Sequence, residues 1–485
     1  MSTPDLKATF DALFTPAMNA ATAPMAVLAA GVMLFLLCDI IGPLRSARRV
    51  VFLGSLVLSA IFQLRILGMD VAPGLVLDDT FRATTETALW GLIFLVGTLL
   101  AWSYSHGYYT HNLPFKPEHD ALFLSAAAGM MVMVGAADLI VFFVGLELLS
   151  IPLYALAAFR RAQIESIESG LKYFLLGAFS SAMYVYGCGL LFASTGTLGI
   201  GELVASDLSA PLAVTGIALV AASLFFKVSV FPFHLWVPDV YQGAPTPVTV
   251  LMATGTKAAA FGFLVSITRL MPAEGALTIA VIALVTMGLG NLGALVQTDL
   301  KRMLAYSGVA HAGTLLLLIA AGMAGATEAD ATRAALYYMG AYLFTASGAF
   351  GVLSLLESDG RHFTELASLR GLARSRPGAA AALALFMLSL GGIPATGGFL
   401  GKWFVFTELV NTDMIVVAIL GALLSVVALG YYLRVIVTMY MEPAPVDLAP
   451  PTTRRPLTAG LATAACCIGV LAMGLFPGLF LAPLS

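Results

Sequence analysis

The chain has 485 residues, 60% of them hydrophobic and 11% charged, and a mean hydropathy of +0.95. That composition excludes a soluble globular domain and indicates an all-α polytopic membrane protein, because its long uncharged runs have no water-facing side. The net charge of −3 is spread over loops, so no basic face exists to neutralise nucleic-acid phosphates.

Cys38, Cys188, Cys466 and Cys467 lie in apolar segments without metal-ligand spacing. They read as packing residues, which argues against disulfides and iron–sulfur ligation. Residues 1–16 (MSTPDLKATFDALFTP) lack the basic region, apolar core and cleavage site of a removable signal. They are expected to form a short interfacial helix.

A membrane span needs about 20 apolar residues, and on that scale the sequence contains about fourteen. They fall near 24–42, 50–68, 85–104, 120–135, 137–158, 171–195, 211–235, 247–270, 276–297, 302–322, 334–356, 379–410, 412–440 and 456–480. An even count puts both termini on one side. Arg45, Arg48, Arg49, Lys116, Arg160, Arg161, Lys301, Arg302, Arg361, Arg370, Arg374, Arg376, Arg454 and Arg455 collect in alternate loops. Arg65, Arg82, Arg269 and Arg333, with Lys7, lie on the other side, so the first set is expected to be cytoplasmic and both termini outside. The loops are short except 357–378, where an amphipathic surface helix is expected from Thr364, and the Pro-rich 441–455, an extended connector. Neither is large enough for a catalytic domain.

The seventh and eighth stretches carry the densest polar signal. SLFFKVSVFPFHLWVPDVYQGAPTPVTVLMATGTK (223–257) places Lys227, His234, Asp239 and Lys257 in or beside apolar segments interrupted by Pro232 and Pro238. A lysine near the bilayer centre disfavours insertion by at least about 2.5 kcal/mol, so such charges face a protein interior or wet cavity and mark ion or proton paths. A proline break frees backbone groups that only protein or water can satisfy.

Depth suggests internal repetition. Glu147 lies nine residues beyond Asp138 on the fifth stretch and His311 nine beyond Arg302 on the tenth, each about 13.5 Å deep at helical rise. The seventh stretch is broken at Pro232, and the twelfth at Gly391, Gly392, Pro394, Gly397 and Gly398, with Lys402 just beyond. Stretches 4–8 (120–270) and 9–13 (276–440) therefore read as two inverted five-helix repeats with midplane polar sites, flanked by 1–119 and 441–485.

Each candidate has a plainer alternative. Glu147 can be a helix-packing carboxylate. Lys257, ten residues after Pro247, is too deep to snorkel, while Lys227 and Lys402 adjoin helix breaks. Lys172 and Arg434 lie nearer span ends, where snorkelling or loop salt bridges compete evenly with function. His234 and His311 suit a proton relay but can also be satisfied core residues. His106, His111 and His119 read as solvated loop histidines rather than a metal site. Gly288, Gly290 and Gly293 match GxGxxG, but inside an apolar stretch with no preceding strand, so they read as helix-packing glycines. There is no Walker A sequence, Ser/His/Asp set or His/Cys ligand spacing, which excludes ATP-driven pumping by this chain alone.

FFVGLELLSIPLYALAAFRR (142–161), SGLKYFLLGAFSSAMYVYG (169–187), FKVSVFPFHLWVPDVYQGAPTPVTVLMATGTKAAAF (226–261), ALVQTDLKRMLAYSGVAHAG (294–313) and LSLGGIPATGGFLGKWFVF (388–406) resemble the antiporter-like membrane subunits of respiratory complex I. The resemblance covers roughly 120–440. It implies a fourteen-helix proton-translocating subunit with inverted repeats, broken seventh and twelfth helices and no redox cofactor of its own. FMN, iron–sulfur clusters and quinone are expected in other subunits, and the implied partners are sister antiporter-like subunits in a bacterial cytoplasmic membrane. By motif position Glu147, Lys227, Lys257 and Lys402 are similar to the family's fifth-, seventh-, eighth- and twelfth-helix ionisable residues. A midplane chain of Glu147, Lys227, Lys257, His311 and Lys402 with water, Glu147 pairing with Lys227, is expected to pass protons. A subunit of a multi-chain sodium/proton antiporter would share these helices and lysines. A passive scaffold is disfavoured, since it gains nothing from the cost of inserting the charges.

Overall fold

The computed structural model describes residues 15–69, 72, 74–112, 117–357, 364–443 and 457–482. The expected interfacial helix with Lys7, the side chain of His111, most of the 441–455 connector, Lys116, Arg361, Arg454 and Arg455 lie outside the described residues. Helices occupy every predicted stretch: α1 (Pro16–Ile40), α2 (Arg48–Leu67), α3 (Thr85–Asn112), α4 (Glu118–Gly135), α5 (Leu139–Ala157), α6 (Ile164–Thr195), α7 (Pro211–Val228), α8 (Trp236–Gly243), α9 (Thr246–Ser266), α10 (Ala276–Leu295), α11 (Leu300–Met323), α12 (Glu328–Leu356), α13 (Pro377–Gly391), α14 (Gly397–Asn411), α15 (Ile415–Tyr440) and α16 (Leu457–Leu475). Among the described residues, twelve helices are long and apolar enough to cross a membrane. The stretches outside that set are α4, with Glu118 and Asp120 in its first turn, and the divided 377–411.

The helices sort by burial. The apolar windows of α9, α11 and α12 are 100%, 94% and 83% buried, whereas those of α1, α2, α6, α15 and α16 are 33% buried. A helix apolar all round and enclosed by protein is a core helix, so α9, α11 and α12 form the centre and the others present Leu, Ile, Val and Phe outward. Glycines let the helices approach closely. A Cβ on Gly290 would sit 2.6 Å from the Ala310 backbone nitrogen, and one on Gly293 would sit 2.5 Å from the Tyr306 ring, so these two glycines of the GxGxxG match form the seam between α10 and α11. A Cβ on Gly288 would meet nothing within 4 Å, so Gly288 is not a packing glycine.

Several expectations change. The seventh stretch does not end at 235: after a turn region beginning at Ser229 (φ +71°) it resumes as α8, because Pro232 cannot donate to a continuing helix whereas Pro238 sits in the first turn, where no donor is needed. The segment after Thr364 is not a free amphipathic helix. It is tied to the start of α11, with Leu300 N donating to Thr364 O (2.6 Å) and Leu366 N to Thr298 O (2.8 Å), and holds only short turns at Leu366–Leu369 and Leu372–Ser375. A small hairpin pairs Gly74–Val76 with Phe81–Ala83. His106 lies on α3, and His119 is fully buried on α4 with Nδ1 3.0 Å from Asp120 Oδ1, so neither is a solvated loop histidine. The four cysteines are free, and among the described residues no group of His, Cys, Asp and Glu could hold a metal.

Candidate functional site

Lys227 lies in the last turn of α7, where the helix stops before the break. The residue is 4% exposed and its ammonium donates to Ser150 Oγ at 2.6 Å. The expected ion pair with Glu147 is not formed. Glu147, half-buried on α5, instead accepts a hydrogen bond from Ser181 of α6 at 2.5 Å. Axial position explains the difference: Ser150 lies three residues beyond Glu147 on the same face, and that turn of α5 is the one that meets the lysine.

Lys257 sits midway along α9, where every residue from Thr246 to Val265 is buried, and donates to the Gly308 carbonyl of α11 at 2.6 Å. Gly308 leaves the room this needs, since a Cβ there would lie 2.7 Å from Lys257 Nζ. One turn on, His311 Nδ1 lies 2.6 Å from Tyr338 Oη and Nε2 3.2 Å from Tyr432 Oη. The Tyr432 hydroxyl also lies 2.5 Å from Ser307 Oγ.

Lys402 follows the second break and reaches back over it. Its Nζ donates to Leu390 O (3.0 Å) and Gly391 O (3.2 Å), two orphan carbonyls at the C-terminus of α13, where the helix dipole favours a cation. Gly392 turns the chain there at φ +84°. A cavity of about 10 Å³, lined by His311, Tyr338, Tyr342, Thr345, Ser389 and Leu390, has room for about one water between the His311 cluster and the Lys402 end. Among the described residues none of the three lysines has a carboxylate within ion-pair distance.

Two predicted residues stand apart. His234 lies in the turn region before α8, its Nδ1 buried without a hydrogen-bond partner, so this nitrogen bonds to none of Glu147, Lys227, Lys257, His311 and Lys402. Lys172 is partly exposed on α6 and pairs with Glu168 (2.7 Å) and Asp239 (2.9 Å), the salt-bridge alternative. Asp239 also binds Arg302 at 2.6 Å, and Glu168, Lys172 and Asp239 border a polar cleft of about 500 Å³. Arg434 donates to Leu295 O (2.8 Å) and Gln297 O (2.7 Å), holding the C-terminal end of α10.

Ser150, Tyr338, Tyr432 and the Gly308 carbonyl are the partners the sequence did not single out. Ser150 had a signal as the polar residue nearest Glu147, but a backbone carbonyl carries none.

Residues 136–428 match the transmembrane family described as NADH:quinone oxidoreductase/Mrp antiporter. NADH-quinone oxidoreductase subunit N of Salinibacter ruber is 38% identical over 434 residues, 87% of this chain and 86% of its own. The chain belongs to the subunit N family. Another similar chain, in respiratory complex I from Thermus thermophilus, is 34% identical with a TM-score of 0.82, covering 95% of this chain and 99% of that one. The subunit N fold also extends to a chain of the Mrp complex from a Dietzia species, at 20% identity and a TM-score of 0.81 over 96% of both chains. That likeness concerns the fold alone.

Proposed function

We propose that the chain is a proton-translocating membrane subunit of an NADH-quinone oxidoreductase, moving protons through Glu147, Lys227, Lys257, His311 and Lys402 while quinone is reduced in other subunits. One observation carries the reading. Lys227, Lys257 and Lys402, buried within the helices, bond only to neutral oxygens, so no carboxylate is ion-paired with them, and a titratable histidine and a water-sized cavity lie between the last two. Moving one charge against 100 mV costs about 2.3 kcal/mol, and a tenfold change in proton affinity is worth about 1.4 kcal/mol. A trigger that alters a lysine's proton affinity a hundredfold is therefore sufficient. His234, which bonds to none of them, and the ion-paired Lys172 have weaker roles.

The inverted-repeat reading, with units 120–270 and 276–440, gains support from the helix starts. Asp138 caps α5 and Asp299 caps α11. The next residue, Leu139 or Leu300, donates its N–H to a distant loop carbonyl, Leu198 or Thr364, and each Asp forms an isolated bridge there. Counted from these caps, Ser150 rather than Glu147 corresponds to His311, both twelve residues on.

The reading further assigns FMN and iron–sulfur clusters to other subunits, sister antiporter-like subunits as neighbours, and a bacterial cytoplasmic membrane with both termini on the periplasmic side. Purification of the chain with its neighbours in mild detergent tests the assignment. Copurifying flavin and iron–sulfur subunits support it, and a set of small cation-transport subunits without flavin overturns it in favour of an antiporter.

A further inference from the structure

Lys227 does not rest on Ser150 alone. Its Nζ lies over two tyrosine rings, 5.6 Å from the centroid of Tyr154 on α5 and 5.4 Å from that of Tyr173 on α6. Both distances are within the roughly 6 Å at which a ring face attracts a cation. The rings meet edge to face at 4.8 Å and 88°, and Tyr173 is wholly buried. The Tyr173 hydroxyl has no hydrogen-bond partner, so what this residue offers the lysine is its ring. Room for the Tyr154 ring comes from Gly177, where a Cβ would fall 2.0 Å from the Tyr154 hydroxyl oxygen.

We propose that Tyr154 and Tyr173 form an aromatic cage for the charged form of Lys227, with Tyr173 a positioning residue set by Trp236. Trp236, the first residue of α8, stacks on Tyr173 at 4.6 Å and 9° and donates Nε1–H to Phe226 O across the helix break at 3.1 Å. It therefore rivets the cage to both sides of the break. One turn along α8, Asp239 binds Lys172, the neighbour of Tyr173, at 2.9 Å. Helices α6 and α8 are thus joined at two adjacent levels, one in the cage and one beside the polar cleft.

The cage rests on the proposed function, in which Lys227 carries a proton. The groups facing Lys227 are Ser150, Tyr154 and Glu147 of α5 and Tyr173 of α6. The ionisable group on α9, which also packs on α7, is Lys257, whose ammonium is bonded away to Gly308. A ring face favours the ammonium over the neutral amine. Removing one ring therefore moves the alkaline limb of proton uptake to lower pH, by about one unit.

The test is the pH profile of NADH-driven proton uptake into inverted membrane vesicles carrying the whole complex, with assembly checked on a native gel. Tyr173→Leu is expected to move the alkaline limb down by about one pH unit, and Tyr173→Phe to restore the wild-type limb because the ring remains. Gly177→Ala, which displaces the Tyr154 ring without deleting it, is expected to give a smaller shift in the same direction and serves if Tyr173→Leu fails to assemble. A Leu or Ala profile superimposable on wild type overturns the cage, as does a Phe variant as shifted as Leu. Lys227→Met in the same assay separates the two levels. If it pumps normally, the proton-carrier role of Lys227 fails. If it is inactive while the ring variants leave the pH profile unmoved, only the cage fails.

Discussion

Lys402 Nζ donates to the carbonyl of Leu390 at 3.0 Å across the break between α13 and α14, so a cation twelve residues ahead closes the helix end behind it. Lys227 stands at the other break in a different way, in the last turn of α7 with its ammonium turned to a hydroxyl on α5. Both breaks therefore hold a lysine charge at a helix end, one by backbone oxygens and one by a side chain.

The Gly308 carbonyl sets the position of Lys257. Gly308→Ala places a methyl 2.7 Å from the ammonium and 3.1 Å from the Tyr342 hydroxyl, so the lysine must move. Proton uptake is expected to fall about tenfold, the loss of one charge-assisted hydrogen bond, with the complex still assembled. Uptake in vesicles beside a native gel checks both.

Ser150, rather than Glu147, touches Lys227. Ser150→Ala is expected to slow pumping about tenfold or more, since a hydrogen bond to a charged group is worth about 1.5–3 kcal/mol, and Ser150→Thr to retain most of it. Glu147→Gln and Lys227→Met should remain non-additive, because Glu147 lies one turn from Ser150 on the same helix. Simple multiplication of the two defects in an assembled complex would show independent sites.

The α10–α11 seam has no slack. Gly290→Ala meets the Ala310 backbone at 2.6 Å, and overpacking of this kind costs about 1–3 kcal/mol. The expected result is a lower thermal midpoint of the detergent-purified complex, with pumping per assembled complex little changed. An unchanged midpoint would contradict the seam.

On the positive-residue bias, the loop after α5 and the loop before α12 are expected to lie on opposite sides. Cysteines introduced at Ala162 and Thr327 should react with an impermeant thiol reagent from opposite faces, and labelling of both from one face would contradict the topology.

Most of this architecture was legible in the sequence because membrane insertion makes strong demands on composition. Apolar length marked the helices, and Pro232 and the Gly391–Gly398 run marked both breaks. The cost of a buried charge drew attention to Lys227, Lys257 and Lys402 without any contact information. Contacts were less legible. One helical turn along α5 decided that Ser150 rather than Glu147 meets Lys227, the Lys257 partner is a backbone carbonyl with no residue identity, and Tyr338 and Tyr432 looked like ordinary members of apolar runs until α12 and α15 brought them to His311. The α8 half-helix was missed because its eight residues are shorter than any span.

The most direct measurement is proton uptake into inverted vesicles for Lys257→Met, with NADH oxidation recorded in the same membranes and the assembled complex quantified on a native gel. Methionine fills a similar volume on the fully buried α9 but holds no charge, so uptake should be largely abolished while the complex remains assembled. Lys7→Met should pump as wild type. Normal proton uptake by an assembled Lys257→Met complex would contradict the lysine chain as the proton path.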